Sequence, residues 1–138
     1  MTAPRLPLPA VNVDAGLFVL RVMLAVILLF HGLFKIEHGI EWMRAPLARF
    51  HLPLAAGYGA YVAEIVAPVM LIVGAWTRLA ALVVMCDMLM ALVLVLGPRI
   101  LVINPGGGGW GIEVEAMILL SALVLFLAGG GRYGAVKE

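Results

Sequence analysis

Residues 15–35, AGLFVLRVMLAVILLFHGLFK, form a continuous apolar run broken only by Arg21 and His31 and closed by Lys35. As a helix rising about 1.5 Å per residue, the run covers roughly 30 Å, the thickness of a bilayer's hydrocarbon core. Three more runs of that kind follow. They are residues 55–76 with Glu64, 78–96 with Asp87, and 110–128 with Glu113 and Glu115. Lipid offers no water to unpaired backbone groups, so each run must close its hydrogen bonds internally as a helix. The runs are continuously apolar rather than alternating, which argues against a transmembrane barrel. The expected fold is all-α: a polytopic membrane protein, a four-transmembrane-helix antiparallel bundle over residues 15–130. A flexible, proline-bearing leader (1–14) precedes it and a tail (131–138) follows.

Composition points the same way. The chain is 64% hydrophobic and 12% charged, with mean hydropathy +1.14, more apolar surface than a water-soluble domain of 138 residues can hide. Net charge is +1 and the bases are scattered, so no nucleic-acid partner is expected. The first run is too long for the apolar segment of a signal peptide and ends in Phe34-Lys35, not in a small-residue cleavage site. Cys86 is the only cysteine, which excludes dithiol chemistry within the chain.

The connections carry their own signals. Residues 36–54 interleave Glu37, His38, Glu41, Arg44, Arg49 and His51 with apolar positions 40, 43, 47 and 50 at helical spacing, as in a short helix lying on the membrane surface. Trp76-Thr77-Arg78 reads as a tight turn. Residues 97–109, with four successive glycines, read as a flexible connector; no strand precedes them and no Lys-Ser/Thr follows, so they are not a phosphate loop. Pro68 removes a helical hydrogen bond close to Glu64.

A charge inside lipid is costly and survives by facing a partner or a cavity. Counting at about 1.5 Å per residue puts Arg21 roughly 9 Å inside the side that holds both termini, with Asp87 roughly 13 Å inside that side. Glu64 falls near mid-depth, and Glu113, Glu115 and His31 lie close to the opposite side. Arg21, Glu64 and Asp87 are thus expected to stack in one file. Glu64 shares its helical stripe with Gly57, Ala60, Tyr61, Ala67, Pro68 and Leu71, a face small enough for close helix packing. Asp87 shares its stripe with Val83, Met90, Ala91 and Leu94, and Arg21 with Phe18, Leu28, Gly32 and Lys35. His31 lies off the Arg21 stripe. Glu113 and Glu115 point apart, so one at most faces inward. Two roles compete for this set: Arg21 pairs with Asp87 and only fixes register, or Glu64 lacks a full partner and serves as a protonatable or ligand-bonding group. No catalytic triad and no metal site is expected. His31 is the only histidine in a run, where a bis-His haem needs two, and His38 and His51 with Glu37 and Glu41 read as solvated loop residues.

The succession Leu20-Arg21, Leu29-Phe30-His31-Gly32-Leu33-Phe34-Lys35, Val62-Ala63-Glu64, Gly74-Ala75-Trp76-Thr77-Arg78, Asp87-Met88, Trp110 with Glu113 and Glu115, and Gly131-Arg132-Tyr133 resembles the DoxX family of small four-helix membrane proteins. The order and spacing of these short motifs carry the likeness, which covers 17–133. The chain departs from the family at Ala67-Pro68, where a Gly-Gly is common, and at the glycine run 106–109. The resemblance implies a bacterial inner membrane, cytoplasmic termini, and a place near thiosulfate:quinone oxidoreduction or other membrane redox complexes. Distant relatives act in cargo export and receptor assembly. It carries over Arg21, Glu64, Asp87 and Glu115 or Glu113 as site residues.

The first expectation is an integral subunit of a quinone-linked redox complex, with quinone as ligand, no covalent cofactor, and a redox partner subunit or a second copy alongside it in the bilayer. Whether such a subunit is itself an enzyme the residues leave open. A membrane-protein assembly factor and a small transporter or proton conduit are the alternatives. Charge does not orient the chain: Arg5, Arg78, Arg132 and Lys137 on one side balance Lys35, Arg44, Arg49 and Arg99 on the other.

Overall fold

The computed structural model describes residues 12–136, so the leader expected at 1–14 lies outside the described residues except for its last three positions. Helix α1 (Val13–His38) starts where the Asn12 side chain accepts a hydrogen bond from the Ala15 amide at 3.0 Å, a side-chain cap for one of the amides that a helix start leaves open. It stops at Gly39, whose φ of 73° leaves the helical region. A 3₁₀ turn (Glu41–Met43) leads into the short helix α2 (Arg44–Ala48). Helix α3 (Leu54–Val73) is composite: a 3₁₀ start, a single α turn, a π-helical stretch at Val62–Val66, then regular helix from Ala67. Helices α4 (Thr77–Leu94) and α5 (Glu113–Ala128) complete the set. Among the described residues there is no strand, only an isolated bridge between Ile103 and Trp110.

Helices α1, α3 and α4 are long and apolar enough to cross a membrane. The chain is a multi-pass integral membrane protein. Its core joins all four long helices through Leu24, Ala25 and Leu28 on α1, Ala67 and Leu71 on α3, Ala81, Val84 and Met88 on α4, and Ile118, Ala122 and Leu125 on α5. Buried alanines in this core (Ala25, Ala67, Ala80, Ala81 and Ala122) leave room for the helices to pack, because lipid-immersed helices gain from tight van der Waals fit rather than from escaping water. The outer surface is also apolar: Phe30, Val93 and Leu127 are each more than 60% exposed. In water those residues would be a liability, but in a bilayer they face acyl chains.

Several boundaries differ from the sequence expectation. The turn after α3 is Gly74-Ala75-Trp76, and Thr77 already belongs to α4. Gly74 takes the left-handed conformation (φ 73°), and both it and Ala75 donate to the Met70 carbonyl. Helix α5 begins at Glu113, not Trp110. Trp110 instead closes the preceding loop by donating from Nε1 to the Ile100 carbonyl at 2.6 Å, while Asn104 and Gly109 pair through their backbones. The connector 97–109 is therefore held by specific hydrogen bonds. After Gly129 the chain folds back, and the amides of Ala135 and Val136 donate to the carbonyls of Val73 and Gly74.

Candidate functional site

Polar groups gather at the two ends of the helix stack, and the ends are built differently. At the end holding Asn12 and the tail, Arg21 is fully buried. It donates from Nη1 to the Gly130 carbonyl at 3.3 Å and from Nη2 to the Tyr133 carbonyl at 3.1 Å, with its guanidinium 5.4 Å from the centre of the Phe18 ring. Gly74 and Gly134 leave the space it fills. Asp14 accepts from the Arg132 amide at 2.9 Å and ties the tail to the start of α1. The pairing of Arg21 with Asp87 and the single file of three charges are both overturned: the partners of Arg21 are tail carbonyls at one end, and Asp87 faces a chamber at the other.

That chamber has a volume of about 860 Å³. It is formed by the last turns of α1, α4 from Leu82 to Leu94, the first turns of α3, the start of α5, and a covering layer from Trp42, Met43 and Leu47. The cover is seated where Ile40, Met43 and Leu47 meet the bare backbone of Gly57. Of the apolar positions 40, 43, 47 and 50, Ile40 and Leu47 are buried and Met43 is half-buried, whereas Phe50, past the end of α2, is exposed.

Glu64 is the deepest polar group in the chamber, with 2% of its surface exposed. Lys35 Nζ donates to its Oε1, which corrects the expectation that Glu64 lacks a full-strength partner. Oε2 of the same carboxylate is buried with no partner. Local backbone places this group. The Ala67 amide reaches the Val62 carbonyl five residues back, the wide turn typical of functional positions in helices. Pro68 has no N–H to give to the Glu64 carbonyl four residues before it. Helix α1 packs against that carbonyl through Gly32, where an added Cβ would sit 2.6 Å from the oxygen. The Tyr61 hydroxyl donates to the Lys35 carbonyl at 2.9 Å and secures the end of α1 beside the ion pair.

Asp87 lines the same chamber and lies within electrostatic reach of Glu64 and Lys35. The structure thus brings Glu64, Asp87, Glu115 and His31 together and leaves Arg21 and Glu113 out. Glu115 faces the chamber, while the exposed Glu113 carboxylate lies over Gly109. Sequence reasoning missed Lys35 as a site residue. The signal was present: Lys35 shares the Arg21–Gly32 stripe, and a lysine stem can carry its charge inward from a helix end. Among the described residues no three metal-ligating side chains converge.

The arrangement offers an apolar, partly aromatic enclosure with one compensated buried carboxylate, two further carboxyl groups and a histidine. Such a site suits a small amphipathic molecule with a polar head. In the comparisons, the DoxX family model matches residues 16–97, which include Arg21, His31, Lys35, Glu64 and Asp87. The match stops before α5, so the part of the resemblance from Trp110 to Tyr133 lies outside it. No curated protein and no solved structure matches the chain.

Proposed function

From the premise that the chain belongs to the DoxX family, we propose that it is a membrane-embedded, quinone-handling subunit of a redox assembly. One observation carries this reading: an apolar chamber of about 860 Å³ surrounds a buried carboxylate with one oxygen unclaimed. Phe34 and Trp42 offer flat surfaces to a ring, and Glu64 with Asp87 supplies acceptors for its polar edge. Lys35 balances the Glu64 charge so that the carboxylate can stand in a low-dielectric site. A bound quinone would contribute the two-electron chemistry for which this chain has no dithiol, and a partner subunit would supply or take the electrons.

The same reading makes α5 a fourth crossing. Its 16 residues cover about 24 Å and pack along α4. Family resemblance favours a bacterial inner membrane and cytoplasmic termini. Arg21 then serves as the anchor of the C-terminal tail rather than as a counter-charge in the site.

Isolation from native membranes in mild detergent, followed by solvent extraction, tests the proposal. Quinone or hydroquinone near one equivalent supports it. A colourless, quinone-free preparation carrying assorted membrane proteins contradicts it and favours an assembly factor.

A further inference from the structure

Resting on the quinone reading, we propose that the chamber selects the reduced, hydroxyl-bearing head group, a hydroquinone, over the oxidised quinone. The unclaimed Glu64 Oε2 is the reason. It is buried, it has no partner, and with the lysine ammonium on Oε1 the carboxylate can only accept. A quinone presents carbonyl acceptors and no donor, so its polar edge would set oxygen against oxygen at Oε2. A hydroquinone O–H donates there and satisfies the buried acceptor.

Glu64, Asp87 and Glu115 place three carboxyl groups around the space. The donors on residues lining it are His31, the Trp42 indole and the Lys35 protons that Glu64 Oε1 does not take. These serve a hydroxyl oxygen as well as a carbonyl, so the discrimination falls to Glu64 Oε2. Sites built to bond a substrate hydroxyl reject analogues that lack it far more strongly than apolar pockets reject a change of size. The ring walls make no such distinction, since Phe34 and Trp42 present flat surfaces to either oxidation state.

Cys86 supplies the reporter, because it is the only cysteine, is exposed, and lines the chamber. The full-length protein in nanodiscs is treated anaerobically with a membrane-permeant maleimide. The probes are a decyl-substituted hydroquinone, the matching quinone, and the hydroquinone dimethyl ether. The hydroquinone is expected to protect Cys86 at concentrations at least tenfold below either of the others. In Glu64→Gln, whose amide can donate to a carbonyl, the quinone and hydroquinone should approach parity. Quinone protecting as well as or better than hydroquinone in the wild type overturns the preference while leaving the quinone reading standing. Failure of all three probes to protect overturns both. The wild-type comparison decides the matter even where the variant does not fold.

Discussion

Lys35 on α1 donates to Oε1 of Glu64 on α3, 29 positions along the chain, and leaves Oε2 of the same carboxylate buried and unpartnered. Arg21 Nε is buried without a partner as well, so what separates the two ends is the chamber beside Glu64. The Arg21 end is closed by tail carbonyls, whereas the Lys35 end holds a charge-balanced acceptor in the wall of an apolar chamber.

Removing Lys35 strands the Glu64 charge. Lys35→Met is expected to destabilise the protein by about 3 kcal/mol, the usual cost of breaking a buried pair on one side. Lys35→Met combined with Glu64→Gln should recover most of that loss. Unfolding by SDS titration across the full double-mutant cycle checks this; additive losses would contradict the pairing.

Gly32 is required by a close approach rather than by its own backbone angle. Gly32→Ala puts a Cβ 2.6 Å from the Glu64 carbonyl and against the Ile65 side chain. A loss of roughly 1–3 kcal/mol is expected from overpacking. Gly16→Ala on the same helix meets nothing within 4 Å and serves as the control, expected to be neutral or slightly stabilising. Thermal denaturation in detergent distinguishes the two.

Arg21 holds the tail. Arg21→Leu should release residues 130–136 to limited proteolysis while leaving maleimide labelling of Cys86 unchanged, since the two sites lie at opposite ends. Asp14→Asn should release the tail much less, because the Asp14–Arg132 pair is solvent-facing, with the Arg132 side chain 76% exposed, and exposed pairs contribute under about 1 kcal/mol. Mass spectrometry of the cleavage products reads both.

The covering layer should gate the chamber. Gly57→Leu would push against Ile40, Met43 and Leu47, which rest on the Gly57 backbone. Displacing Trp42 is expected to shift its fluorescence and to speed Cys86 labelling severalfold. An unchanged labelling rate would show that α2 does not control access.

Much of this was legible because lipid allows so few solutions. Continuous apolar runs have to be helices, and of the Glu64 stripe Gly57, Ala60, Ala67, Pro68 and Leu71 are buried while Tyr61 is half-buried. The Asp87 stripe of Val83, Met90, Ala91 and Leu94 lines the chamber. The partners of Arg21 were not legible, because they are backbone carbonyls of a tail whose fold-back depends on glycine geometry at Gly129 and Gly131. Lys35 was missed because depth counted along a helix axis places Cα atoms, and a lysine head group lies several ångströms from its own. The choice between Glu115 and Glu113 was not legible because α5 is apolar on nearly every face, so its sequence does not say which side turns inward.

Photoaffinity labelling with an azido-quinone, mapped by mass spectrometry on the full chain in nanodiscs, tests the central claim most directly. The account predicts adducts on the end of α1, the start of α3 and the second half of α4, around Phe34, Ala63 and Met90, all displaced by excess hydroquinone. Adducts scattered over the lipid-facing surface, or concentrated near Arg21 and the tail, and undiminished by competitor, would contradict it.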